Sequence, residues 1–370
     1  MSSSLKHRSN LGVLRFVLAL WVFLAHTVPW YAIVHQHKLP IIGKVMAILR
    51  KLQSSGELHP AVIGFLVLSG YVISSSFEMK SNLPLAAIKK WAIRRVFRIY
   101  PIYLLGVAFG IIFWSLSKSN KYNVLLSSTT HLNASCIAAK TTLISALTPL
   151  GYPNCALQGN SPLITAAAEM GLYAIYGVIL IWLTKRTFRF MYQIIFTLWL
   201  LLTIVTGVLG TAHPNYVAYW IHGSPINYLL PWWVGVLAFQ KFAAFSLKKI
   251  LWLAIPALSL GVIWSSYRHS FIKSDSQKFV IIELNLVFLS LAFATLIRLL
   301  EAAPQLPKLI SQVENYGYAL YALHAPLSLY LLFKNYSYPL IVLINVFVVV
   351  VAYYLVEKPL REYGRKLSKA

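Results

Sequence analysis

The sequence predicts an all-α, polytopic integral membrane protein with about ten transmembrane helices and both termini in the cytoplasm. Three observations carry that reading. Hydrophobic residues make up 58% of the 370-residue chain and charged residues only 11%, where about 25% is usual for a soluble domain. The apolar residues fall in long continuous runs, not in the short alternating segments of a membrane barrel. The cations, finally, gather on one side of those runs.

Taken in order, the runs are 11–33, 61–77, 99–116, 162–183, 190–210, 227–239, 250–267, 279–299, 315–333 and 338–356. The first is too long for a signal peptide, and no small-residue cleavage site follows it, so it is expected to remain as a span. The second and sixth are the shortest. The third follows a basic run, and Pro101 is expected to kink or start it. The fourth opens with Ala166, Ala167 and Ala168, small residues that let another helix approach closely. The tail beyond the tenth is merely basic.

A cytoplasmic N-terminus puts 22 of the 33 Lys and Arg residues in inside segments and 11 in outside ones. This bias turns the net charge of +24 largely into a topology signal. A nucleic-acid binder could carry that charge, but not with a mean hydropathy of +0.68. A disordered basic tail is excluded by 11 Trp, 22 Tyr and 19 Phe. Nucleic acid is therefore not an expected partner, whereas membrane lipid is.

The chain reads as a single transmembrane domain over 1–370, with one long extracytoplasmic loop at about 117–161 able to form a small lid. That loop holds the only two cysteines, Cys136 and Cys155, and a disulfide between them competes evenly with two thiols.

Ionisable side chains inside spans are costly, so each is a functional candidate. Arg15 and His26 lie three turns apart on one face of the first helix. A lone Arg15 could snorkel to the inner headgroups, and His26 could be a satisfied core histidine. His26 nonetheless lies ~22 Å in from the inner boundary. Glu169, in a helix entering from outside, lies ~10 Å below the outer boundary, close to the depth of His26. A carboxylate there could orient an imidazole as general base. The structural alternative is a glutamate paired with a tyrosine or with Arg268. Glu283 has a weaker claim of the same kind.

At the inner edge, Arg95 and Arg98 share a helical face and suit phosphate recognition, because their planar forks match phosphate oxygens. The alternative is a basic stop at the membrane edge, with Lys89 and Lys90 in the same belt. His324 lies ~13 Å in from the inner side, beside Pro326, with functional and structural readings even. His35 and His37 lack a clear third ligand, so no metal is expected.

These residues resemble a known family, the acyltransferase-3 membrane proteins. Arg15–x10–His26 resembles the first-helix signature, and residues 64–71 (GFLVLSGY), with Ser69, are similar to "FFxLSGF". Arg95–x–x–Arg98–Ile99–x–Pro101 resembles R-x-x-R-I-x-P, and residues 163–173 resemble "LWSLxxExxFY", aligning Glu169 and ending at Tyr173. Residues 318–326 resemble "YSLYLxHxP", which includes His324, and residues 356–359 resemble "IEKP". Ile164 and Thr165 stand where the family often has Trp-Ser, and Ala319 where it has Ser. The carboxy-terminal esterase-like domain that some relatives carry is not expected here.

The resemblance implies an O-acyltransferase of the bacterial inner membrane. It would move an acyl group, usually acetyl, from cytoplasmic acyl-CoA to a hydroxyl of an extracytoplasmic polysaccharide or glycolipid. It further implies His26 and Glu169 as catalytic residues, with Arg15, Arg95 and Arg98 holding the coenzyme. His324 would line the path of the acyl–pantetheine arm, Ser69 would meet the acyl group or pack helices, and monomer and homodimer stay open. The rival reading is a transporter or flippase of lipid-linked sugars, against which stands the lack of an inverted repeat. A glycosyltransferase using an Asp-x-Asp pair is excluded, since Asp275 is the only aspartate.

Overall fold

A computed structural model describes residues 9–35, 39–50, 58–76, 84–116, 137–138, 141, 160, 162–182, 193–201, 204–205, 225–242, 246, 248–249, 252, 255–256, 259, 263–264 and 275–369. Among them every regular element is helical. In chain order these are α1 (Ser9–His35), α2 (Pro40–Arg50), α3 (Pro60–Ser76), α4 (Leu85–Leu116), α5 (Leu163–Trp182), α6 (Pro225–Phe242) and α7 (Asp275–Ala302). A short α8 (Lys308–Ser311) and a 3-10 turn (Gln312–Asn315) lead into α9 (Gly317–Phe333) and α10 (Tyr338–Ala352). A π-helical turn (Tyr353–Glu357) then joins α10 to α11 (Lys358–Leu367).

Five of these stretches are long and apolar enough to cross a membrane: Asn10–His35, Leu85–Phe113, Leu163–Leu180, Ile282–Ala302 and Tyr338–Leu367. Pro60–Ser75, Tyr228–Gln240 and Gly317–Phe333 are shorter apolar helices. The described residues are all-helical, and the chain is an integral membrane protein. Of the ten expected spans, 190–210 is described at 193–201 and 204–205, all helical, and 250–267 falls largely outside the described residues, as do both cysteines and most of the loop at 117–161.

Two details differ from the sequence expectation. Pro101 does not start a helix, since it lies inside α4, which runs from Leu85 to Leu116. A proline costs one backbone bond and some crowding, which a long packed helix absorbs. Residues 40–50, which belong to none of the expected spans, form α2.

The chain divides into two compact units. The first comprises Met1–Leu18, Leu49–Leu83 and Val178–Glu314. Here α3, α6 and α7 pack on one another. Added β-carbons at Gly70 and Gly235 would fall 1.9 Å from the carbonyl oxygens of Trp232 and Val67 respectively. The two glycines thus let the backbones of α3 and α6 touch, as small residues do between membrane helices. Tyr71 donates its hydroxyl to Glu301 and accepts a 2.7 Å hydrogen bond from Arg298, which also pairs with Glu301. Asn10 donates to the carbonyls of Leu300 and Pro304, both at 2.9 Å, and accepts from the Leu306 amide. Carbonyls that the end of α7 leaves without helical partners are thereby satisfied.

The second unit comprises Ala19–Ile48, Pro84–Gly177 and Asn315–Ala370. Its centre is α9, apolar on every side and buried almost throughout, packed against α4 and α10. Leu327, Leu331, Leu332 and Ile341 form a core cluster flanked by Trp30, Tyr31 and Phe113. Pro326 has no amide to offer the carbonyl of Ala322, four residues earlier. Asn160 donates to that carbonyl at 3.0 Å and to the Gly106 carbonyl at 2.8 Å. A β-carbon on Gly106 would lie 2.9 Å from the same Ala322 oxygen. One asparagine and one glycine therefore lock α4 against α9 at the proline.

Candidate active site

The second unit gathers His26, His324, Glu169, Tyr173, Arg95 and Arg98, while Arg15, Ser69 and Glu283 belong to the first. Ser69 is buried beside Gly70 on α3, and Glu283 is buried on α7. Arg15 is half-buried on the first third of α1.

His26 and His324 meet directly, with Nδ1 of the former 2.9 Å from Nε2 of the latter. Their rings are nearly coplanar, 12° apart. Trp30, one turn further along α1, stacks on His26 at 5.2 Å between centroids. The edge of Phe23 meets His324 at 5.9 Å. His324 is wholly buried, and its Nδ1 lies 3.0 Å from the carbonyl oxygens of both Leu320 and Tyr321. Depths counted from sequence put the two histidines on different levels. Such counts start each helix at its own apolar boundary, whereas direct contact puts both rings on one level.

Polar groups continue from this pair along α5 and α9. Tyr321, one turn before His324, donates to the Pro162 carbonyl at 3.0 Å and bonds with the Thr165 hydroxyl. Thr165, Glu169 and Tyr173 recur every four residues, so they form one stripe ~12 Å long on an otherwise apolar helix. The Tyr173 hydroxyl donates to Glu169. Tyr318 sits within electrostatic reach of Glu169, Glu357, Tyr103 and Tyr173.

Arg95 stands at the far end of the stripe, within electrostatic reach of Tyr173, Arg98, Glu169 and Arg94. Depth along the sequence sets Glu169 close to the level of His26. The structure gives the hydrogen bond of His26 to His324, gives that of Tyr173 to Glu169, and brings Arg95 within range of both stripe residues. The antiparallel course of α4 and α5 explains this. Leu163 packs on Gly106, and from there the two helices run back so that Tyr173 comes level with Trp91, 6.1 Å between ring centroids.

Thr165, Tyr318, Tyr321 and Asn160 do not stand out from the sequence as site residues. A signal is present for the first three: Thr165 lies four residues before Glu169, and the tyrosines occupy the two turns before His324. Among the described residues, no three of His, Cys, Asp and Glu converge as metal ligands would.

Chemically the arrangement offers a paired imidazole at one end, a carboxylate and phenols between, and guanidiniums at the other. No curated protein and no solved structure matches the chain. The model of the Acyl_transf_3 family, described as an acyltransferase domain, matches residues 8–356. With that match covering nearly its whole length, the chain belongs to the acyltransferase-3 family and is a membrane acyltransferase.

Proposed function

We propose that the protein transfers an acyl group, acetyl in the first instance, from acyl-CoA in the cytoplasm to an extracytoplasmic carbohydrate hydroxyl. The acceptor would be a bacterial surface polysaccharide or glycolipid such as O-antigen, capsule or exopolysaccharide, and the site of action the inner membrane. The observation that carries this reading is the hydrogen-bonded pair of His26 and His324 inside an apolar helical unit. A neutral imidazole held in one orientation is the general base that acyl transfer to a weakly acidic hydroxyl requires.

His26 takes the acceptor's hydroxyl proton as the oxygen attacks the thioester carbonyl. The C–S bond then breaks, and the departing thiolate receives the proton from the imidazolium. Atoms and charge balance with acyl-CoA and the alcohol as the only reactants. The guanidiniums of Arg95 and Arg98 suit the phosphates of coenzyme A, and Arg15 is a further candidate for the same task. Glu169 and Tyr173, in electrostatic reach of Arg95, would hold that guanidinium in place until phosphate arrives.

The test compares surface glycans by mass spectrometry in cells carrying the wild type or His26→Ala, with membrane accumulation checked by immunoblot. The wild type adds the mass of an acyl group to a sugar, and His26→Ala, at equal abundance, does not. Equal acylation in both overturns the role of His26. Vectorial sugar movement without added mass would favour a flippase instead.

A further inference from the structure

We infer that His324 is a positioning residue that fixes the tautomer of His26, with the proton on Nδ1 and the basic lone pair on Nε2. On the far side of the pair, Nδ1 of His324 faces two acceptors, the carbonyl oxygens of Leu320 and Tyr321, each at 3.0 Å. A carbonyl has no proton to give, so contact with two of them is attractive only if this nitrogen carries one. The ring is wholly buried, so water cannot relieve the alternative.

A neutral His324 protonated at Nδ1 bears its lone pair at Nε2. That atom lies 2.9 Å from Nδ1 of His26. A hydrogen bond at this distance needs one donor, and His324 cannot supply it. Nδ1 of His26 is therefore the donor, which leaves Nε2 of His26 as its basic atom. The main chain of α9 sets the proton on one histidine, and that histidine sets the proton on the other.

The surroundings hold both rings still. Trp30 stacks on His26 at 10° between planes, and Phe23 abuts His324. When Nε2 of His26 takes a proton, the bond from Nδ1 becomes charge-assisted and stabilises the cation that catalysis creates. This is the role a carboxylate performs in a Ser-His-Asp triad, filled here by a neutral imidazole. The kinetic part rests on the acyl-transfer reading above; the tautomer itself does not.

Two measurements test it separately. Nitrogen-15 NMR of the histidine-labelled wild type in lipid bilayers, above the pH range where histidine ionises, reads the proton directly. The His26 signals are identified by their loss in His26→Ala. Protonated Nδ1 with unprotonated Nε2 is expected, and the reverse pattern overturns the inference. The second measurement is steady-state kinetics. His324→Ala is expected to lower kcat on the order of 10²-fold with the KM for acyl-CoA unchanged. His324→Gln, whose amide can donate to the α9 carbonyls while its oxygen accepts from His26, is expected to recover most of that loss. Wild-type kcat in His324→Ala, or a glutamine variant as poor as alanine, sinks the proposal. Absence of acyl transfer by the wild type would overturn the functional reading, and the NMR result would still decide the tautomer.

Discussion

Asn160 donates its side-chain amide at 3.0 Å to the carbonyl of Ala322, the group that Pro326 deprives of its helical partner. Its second bond, to Gly106, ties α4 to the same point. Asn160→Ala leaves a buried carbonyl without a donor, a loss of about 1–3 kcal/mol. A lower thermal unfolding midpoint in detergent is expected. Asn160→Asp, which removes the donors but keeps the shape, should be as damaging.

The close approach of α3 and α6 depends on two missing side chains. Gly70→Ala and Gly235→Ala each force a β-carbon into a main-chain oxygen that cannot turn aside. Both variants should accumulate poorly in membranes or unfold several degrees earlier, by about 1–3 kcal/mol of overpacking strain. Gly43→Ala on α2 meets nothing within 4 Å and serves as the matched control.

Arg298, Glu301 and Tyr71 form a connected, largely buried group in the first unit. Removing the guanidinium alone takes the paired charge from a buried carboxylate that keeps its bond from Tyr71, so Arg298→Ala should cost about 3–5 kcal/mol. The double variant Arg298→Met with Glu301→Leu removes both charges and should lie closer to the wild type. Thermal unfolding of the three purified proteins measures the ordering.

Replacing Arg95 and Arg98 together by alanine should raise the KM for acyl-CoA on the order of 10²-fold, since each hydrogen bond to a charged group is worth about 1.5–3 kcal/mol. Wild-type binding should weaken as salt is raised, whereas the double variant should respond much less, because screening acts on the charges it lacks. Isothermal titration with acyl-CoA at two salt concentrations checks both. Unaltered binding would return the pair to the basic belt at the membrane edge.

Much of the fold is legible from composition and run length. The helices at 9–35, 60–76, 163–182 and 317–333 lie within a few residues of the expected spans, because an apolar run of that length has few other ways to satisfy its backbone in lipid. Whether Pro101 starts a helix or lies within one is not legible, since tertiary packing decides whether a proline breaks a helix. His26, Glu169 and Arg95 stand out because charge is rare in these runs. Their mutual arrangement does not. Which side chain meets His26 depends on how helices 298 residues apart in sequence are set side by side, and rise per residue carries no such information. Glu169 behaves likewise: a tyrosine is among the partners weighed for it in the sequence, and the Tyr173 hydroxyl donates to it.

The π-helical turn at Tyr353–Glu357 resolves a geometric mismatch. Ile341, Asn345, Val349 and Ala352 line the buried side of α10, and Gly364, with Ser368 just past the helix end, the buried side of α11. In one uninterrupted α-helix at ~100° per residue, the second set would point roughly 100° or more away from the first. The wider turn accommodates one additional residue, which rewinds the chain by about that angle. Gly364 can then face Phe97, where an added β-carbon would come within 2.4 Å. The turn is thus an angular spacer: it keeps one edge of a thirty-residue rod against the protein from end to end. Lys358, Arg365 and Lys366 remain turned outward along the other edge.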